Sequence, residues 1–104
     1  MDIDKIKKEA EEIRAYLEEH NPLAKMIEPK EVDIALVGTA RVMRDDLWTI
    51  VAMYSYDRLI DYFIKEFSKD CETENDAISM AEEWVEFNII GAYHGVGTPL
   101  ILYT

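Results

Sequence analysis

The run from Trp48 to Tyr54, Trp-Thr-Ile-Val-Ala-Met-Tyr, limits most strongly which folds this chain can adopt. It is only seven residues long and dense in β-branched and aromatic side chains, a combination that favours a strand over a helix. A strand this apolar is typical of one that is buried. We therefore predict an interior strand that other elements cover.

An amphipathic helix is predicted at the start of the chain. Its apolar residues recur at intervals of three and four: Ile3, Ile6, Ala10, Ile13 and Leu17. The positions between them are mostly Lys, Glu and Arg, so the helix has one apolar stripe. Asp2 or Asp4 can cap its start, and Asn21-Pro22 ends it. The stripe fits packing against a core, and it also fits a homodimer through the N-terminal helix, which needs a similarly narrow seam.

The segment that follows is less regular. Residues 23–31, which follow Pro22 and include Pro29, hold at most a short extended piece. From Val32 to Met43, apolar residues fall on one helical face and Asp33 is available as a cap, so we predict a short helix. The sequence Ile-Ala-Leu-Val within this segment would also suit a strand.

Two further helices are predicted after the apolar run. The first follows Ser55, an N-cap residue, and has Asp57 in its first turn, where the helix dipole favours negative charge. The second starts at Thr73 and ends at Gly91, which can adopt the left-handed conformation without a Cβ penalty. Its predicted buried stripe consists of Ala77, Ile78, Ala81, Trp84, Val85 and Asn88.

The expected fold class is α+β, with about four helices packed on a small sheet. The strands of that sheet are predicted near 48–54 and 100–103, and Pro99 must stand at the first residue of the second strand or on an edge. A chain of 104 residues has room for one sizeable core, so residues 1–104 are expected to form a single domain.

Negative charge is concentrated at one end of the chain. The formal net charge is −11, which disfavours direct nucleic-acid binding and contact with an anionic membrane. Residues 71–104 contain six acids and no Lys or Arg. Five of these acids lie on the last predicted helix, among them Glu82, Glu83 and Glu86. Two interpretations stand: a solvated helix face, or an acidic docking surface for a basic protein partner.

The segment from Gly91 to Pro99 holds three of the four glycines and one of the two histidines. A tight turn explains this composition, and so does a contact loop for a protein or small ligand. A small-molecule or nucleotide site in the segment 88–98 would use Asn88, Tyr93, His94 and Thr98. A phosphate-binding loop is disfavoured, because such loops lead into a helix and this one leads to Pro99.

Enzyme chemistry has little support in the sequence. His94 could serve as a general base in a hydrolytic enzyme, but no nucleophile motif or metal-ligand spacing accompanies it. Cys71, the only cysteine, lies among acidic residues that disfavour a thiolate. We assign no catalytic residue, no metal site and no cofactor. No signal segment or membrane-spanning run is present, so a cytoplasmic protein is expected.

The C-terminal segment Glu86-Phe-Asn-Ile-Ile-Gly-Ala-Tyr-His-Gly-Val-Gly-Thr-Pro99 resembles the closing segment of small uncharacterised phage and prophage proteins. In those proteins a strand is followed by Tyr-Asp and a helix, then by an acidic helix with a Phe-Asn, Gly-Ala-aromatic and Gly-x-x-Thr-Pro pattern. Tyr56-Asp57 and residues 82–99 carry the match, which covers about half of the chain. The resemblance implies no known activity, cofactor or catalytic residue, and it favours a host or phage protein as partner.

Overall fold

A computed structural model describes residues 2–92 and 95–103. In chain order, its elements are α1 (Ile3–His20), a 3-10 helix (Lys30–Ala35), β1 (Leu36–Arg44), β2 (Leu47–Ser55), α2 (Tyr56–Ser68), α3 (Glu74–Val85), a π-helical turn (Glu86–Ile90) and β3 (Leu100–Leu102). The predicted α+β class is confirmed, with helices packed on a small sheet.

The first helix forms as its sequence predicts. The side chain of Asp2 caps α1 by accepting the Lys5 N–H, and Asn21 ends it. Ile6, Ala10 and Leu17 are buried in the fold, so the core-packing interpretation of the stripe is confirmed. A dimer through the same stripe would require α1 to leave the core.

The helix predicted over Val32–Met43 is wrong. Only Lys30–Ala35 is helical, as a 3-10 helix, and β1 runs from Leu36 as the antiparallel partner of β2. The reason is tertiary: a central strand needs hydrogen-bonding neighbours on both edges, and the next segment along the chain supplies one. Asp33 caps no helix, because its buried carboxylate binds the Arg14 guanidinium instead.

The sheet has the order β1-β2-β3, and β3 runs parallel to β2. The chain between these two strands passes through α2 and α3. Ser55 caps α2 by accepting the Arg58 N–H, and Thr73 caps α3 by accepting the Asp76 N–H, both as predicted. Because β3 is parallel to β2, its C-terminal end lies next to the start of α2.

The end of α3 differs from the prediction. The helix widens at Glu86–Ile90 into a π-helical turn before ending at Gly91. Gly91 has φ −76°, so it does not adopt the left-handed conformation. It is needed for space instead, because a Cβ there would lie 2.9 Å from the Glu86 carbonyl oxygen.

The core is continuous from α1 through the sheet to α2 and α3. At its centre Tyr54 is fully buried, and its hydroxyl accepts the Ile27 N–H at 3.0 Å. Burial, more than any neighbouring charge, raises the pKa of Tyr54 to about 12. No helix within 2–92 or 95–103 has the length and apolarity required to cross a membrane.

Candidate functional site

An aromatic pair lies beside the acidic helix. The rings of Tyr56, the first residue of α2, and Tyr103, just after β3, pack against each other at 30°, with centroids 5.0 Å apart. The two residues meet because the parallel register places Ser55 opposite Leu102. Tyr103 remains 62% exposed, so one side of this pair faces solvent.

Two carboxylates of α3 lie next to this pair. The pKa of the Tyr56 phenol is raised, first by partial burial and then by the negative charges of Glu82 and Glu86. Such an effect acts over short distances, so Glu82 and Glu86 lie on the side of α3 nearest Tyr56, and the Tyr103 ring packs against Tyr56. We call this face, formed by Tyr56, Glu82, Glu86 and Tyr103, the acidic–aromatic surface.

Glu82 and Glu86 lie on the same face of the helix, whereas Glu83 lies on a different face. Positions i and i+4 of a helix share a face, and the residue between projects elsewhere. Glu83 lines a separate acidic depression with Asp70, Glu72 and Asp76. Within 2–92 and 95–103, no Lys or Arg forms an ion pair with Glu82 or Glu86. Their charge is therefore available to a partner.

A second feature is a cavity of about 270 Å³ beside the π-helical turn. Apolar side chains form much of its wall: Met26, Ile27, Trp84, Ile89, Pro99 and Ile101. Polar groups come from Lys25, Glu28, Asn88 and Thr98. The glycine-containing segment therefore lines a cavity, and two of the residues predicted for a ligand site, Asn88 and Thr98, both reach it.

The described part of the glycine-containing segment is held by hydrogen bonds to its backbone carbonyls. Gly97 accepts the Lys25 N–H at 2.9 Å, and a Cβ at Gly97 would lie only 2.6 Å from the Leu23 carbonyl oxygen. The Thr98 hydroxyl donates to the Gly95 carbonyl at 2.7 Å. The Arg44 guanidinium crosses from β1 to the carbonyls of Val96 and Thr98 at 3.0 and 2.6 Å. Thr98 is thus a buried structural residue as well as a cavity residue.

Asn88 and Trp84 do not belong to the buried stripe that the helical spacing predicts. Asn88 is exposed and its amide donates to the Trp84 carbonyl at 3.2 Å, and Trp84 is 45% exposed. The π-helical turn explains the difference at Asn88. A π-helix contains more residues per turn than an α-helix. The next residues after Val85 that face the core are therefore Ile89 and Ile90, and Asn88 faces outward.

Tyr93 and His94, the other residues predicted for a ligand site, lie outside the described residues. Across 2–92 and 95–103, no group of three or more His, Cys, Asp or Glu side chains is arranged to hold a metal ion. The Cys71 sulfur lies 3.2 Å from the Met80 sulfur.

In comparisons with known proteins, no family model, no curated protein and no solved structure matches this chain. The site must therefore be interpreted from its own geometry. Sequence reasoning identified Glu82 and Glu86 by charge, and it missed Tyr103 because a lone aromatic after a short strand carries no local signal. It also missed the segment from Lys25 to Glu28, whose place in the cavity wall depends on packing.

Proposed function

We propose that this protein acts by binding a basic protein partner through the acidic–aromatic surface. The observation that carries the proposal is the proximity of Tyr56, whose ring packs against the exposed Tyr103 ring, to Glu82 and Glu86. A solvated helix face needs carboxylates alone. Carboxylates beside an exposed aromatic ring can contact both the charged group and the aliphatic stem of an Arg or Lys side chain.

The chemistry of such a contact has two components. The carboxylates pair with a guanidinium or ammonium group, and the ring faces attract the same cation through their quadrupole. The surrounding charge adds a long-range effect, because a protein with net charge −11 accelerates encounter with a cationic partner. The paired charges and rings give specificity, whereas net charge alone would attract any basic molecule.

The resemblance of the C-terminal segment to phage and prophage proteins stays a prediction, and it bears on the partner. It favours a host or phage protein, and the charge of the acidic–aromatic surface requires that this partner have a basic, exposed segment. A partner that itself binds nucleic acid would carry such a segment, and the acidic–aromatic surface would then compete with phosphates for it.

The experiment is a binding titration with an arginine-rich peptide as the probe. Glu82→Gln combined with Glu86→Gln should weaken binding about tenfold, the loss expected for roughly 1.4 kcal/mol of charge pairing. Glu72→Gln combined with Glu74→Gln is the matched control, because it removes the same charge before α3 and in its first turn. Equal weakening by both double variants would show that only net charge matters and would contradict the proposal.

The cavity beside the π-helical turn supports a second candidate function, the binding of a small molecule. Its apolar wall with a few polar groups is the composition of ligand sites, although its volume lies just below their usual range. Trp84 forms part of the wall, so its fluorescence reports on occupancy. A screen of nucleotides and small aromatic acids should shift the Tm of the wild-type protein and not of Asn88→Ala. No shift with any compound would remove this candidate.

A further inference from the structure

The outer edge of β1 has no partner strand within the described ranges. Asp45 and Asp46 both have positive φ, 49° and 63°, the signature of a two-residue hairpin turn. Arg44 and Leu47 then form the pair that closes the hairpin. Within the described ranges no strand lies beyond β1, so this edge is open to another strand.

The position of the turn determines which backbone groups face outward. Hydrogen-bonded and non-hydrogen-bonded pairs alternate along an antiparallel ladder. Counting back from the closing pair, Val42 and Ala40 bond to β2, while Thr39, Arg41 and Met43 direct their N–H and C=O groups away from it. These three residues present a strand edge that is ready to pair.

An acidic groove runs along part of this edge. Glu9, Glu12 and Tyr16 of α1, together with Val37 and Thr39 of β1, line a groove of about 370 Å³. Within 2–92 and 95–103, neither glutamate forms an ion pair. The groove therefore offers an aromatic wall and two available carboxylates to a cation that approaches along the strand.

A cation of the required kind lies on the same strand, closer to the hairpin turn. Arg41 is exposed, with its guanidinium 5.6 Å from the centre of the Trp48 ring. Met43 and Trp48 are also more than half exposed on this sheet face. The β1–β2 register places Thr39, Arg41 and Met43 on one face of the sheet. The exposed Arg41 and Met43 therefore follow directly after the acidic groove at Thr39 along this edge.

Charge permits two copies to meet here. Residues 36–55 contain Arg41, Arg44, Asp45 and Asp46, so the hairpin has zero net charge and the whole excess of −11 lies elsewhere. Two copies that meet through their hairpins avoid the repulsion that most other contacts between them would create.

The protein is also extended, with a radius of gyration of 14.4 Å against about 13 Å for a compact chain of this length.

We propose that the partner of this edge is a second copy of the chain, paired β1 to β1 in antiparallel fashion about a two-fold axis near Ala40. This register places Arg41 of each copy opposite Thr39 of the other, beside the groove that contains Glu9 and Glu12. A two-fold axis at Arg41 would instead oppose two arginines. The result is a six-stranded sheet in which each α1 covers the other copy's Met43 and Arg41.

The test is the oligomeric state, measured by light scattering and sedimentation over a concentration series. The wild-type protein should form a species of twice 12.1 kDa. Arg41→Glu should raise the dimer dissociation constant about tenfold or more, as should Glu9→Arg combined with Glu12→Arg. The three changes together should restore dimerisation, because the charges are exchanged and every contact occurs twice across the axis.

Two further variants complete the test. Thr39→Pro removes an outward N–H without removing a bond to β2, so it should abolish the dimer and leave the helical circular dichroism unchanged. Glu11→Arg combined with Glu18→Arg changes the same charge on the other side of α1 and should leave the dimer intact. A monomer at every concentration would overturn the proposal, and so would a dimer that Arg41→Glu leaves unchanged.

Discussion

Tyr56 and Tyr103 pack ring against ring with centroids 5.0 Å apart, and this contact brings the end of the described chain to the start of α2. The Tyr56 ring in this contact also lies near the carboxylates of Glu82 and Glu86. Part of the negative charge in the C-terminal part of the chain, at Glu82 and Glu86, therefore lies next to an aromatic side chain, Tyr56.

The proximity of Tyr56 to these carboxylates has a titration consequence. Burial raises the pKa of the Tyr56 phenol most, and Glu82 and Glu86 raise it further. Glu82→Gln combined with Glu86→Gln should therefore lower the pKa of Tyr56, because a nearby negative charge that opposes ionisation is gone. Nuclear magnetic resonance of the Tyr56 ring measures this value directly. The double variant Glu72→Gln, Glu74→Gln should leave it unchanged, and an equal shift in both would contradict the assigned geometry.

The free energy of unfolding should fall at alkaline pH because of the ionisation of Tyr54. Its pKa is about 12 when folded and near 10 when unfolded, so between these values the unfolded state releases a proton that the folded state retains. The contribution is fully present below pH 10 and is lost as the pH rises towards 12. Two pKa units correspond to about 2.7 kcal/mol, so the free energy of unfolding should fall by about 2 to 3 kcal/mol over this range.

Tyr54→Phe is the control for the alkaline effect. It leaves the Ile27 N–H without its 3.0 Å acceptor, so it should cost about 1 to 3 kcal/mol at neutral pH. Urea unfolding at a series of pH values should show this difference shrinking above pH 10 and vanishing near pH 12. A difference that stays constant with pH would show that Tyr54 ionises equally in both states.

Gly97 is predicted to tolerate no side chain. Its Cβ would lie 2.6 Å from the Leu23 carbonyl oxygen and 3.3 Å from the Lys25 nitrogen, both backbone atoms. Gly97→Ala should therefore separate the two segments and lower the free energy of unfolding by about 2 kcal/mol. Gly38→Ala is the control, because its Cβ would meet only the flexible end of Met53 at 3.4 Å. Thermal unfolding that ranks Gly38→Ala as the more damaging change would contradict this packing.

The pair formed by Arg14 and Asp33 should contribute to stability. The guanidinium makes two hydrogen bonds to the carboxylate, and Asp33 is only 9% exposed. This contact raises the pKa of Arg14 more than any other effect on that residue. Asp33→Asn should cost about 1 to 3 kcal/mol, since a charged acceptor within the fold is lost. Asp70→Asn, at an exposed site, should cost much less, and equal urea midpoints would contradict the assignment.

Local signals predicted where the helices start. Asp2, Ser55 and Thr73 each cap the expected helix, because N-cap preference depends on a few neighbouring residues. β1 was mistaken for a helix, because its apolar spacing fits both structures and the choice depends on pairing with β2. Asn88 was placed inward because helical spacing assumes a regular helix, and the π-helical turn changes that spacing.

The candidate site was predictable only in part. Charge counting identified Glu82 and Glu86, and glycine content drew attention to the segment before Pro99. The packing of Tyr103 against Tyr56 depends on the parallel register of β3 with β2, which no local pattern specifies. Sequence reasoning therefore found the acidic half of the surface and missed its aromatic half.

The central claim is that a basic segment binds the acidic–aromatic surface, and amide and ring resonances test it most directly. On titration with an arginine-rich peptide, the largest shifts should centre on Tyr56, Glu82, Glu86 and Tyr103. In the double variant Glu82→Gln, Glu86→Gln the same shifts should need about tenfold more peptide. Tyr103→Ala should weaken binding even at high salt, because the ring contributes beyond charge. Shifts spread evenly over all acidic residues, or centred on the face of Glu83, would contradict the claim.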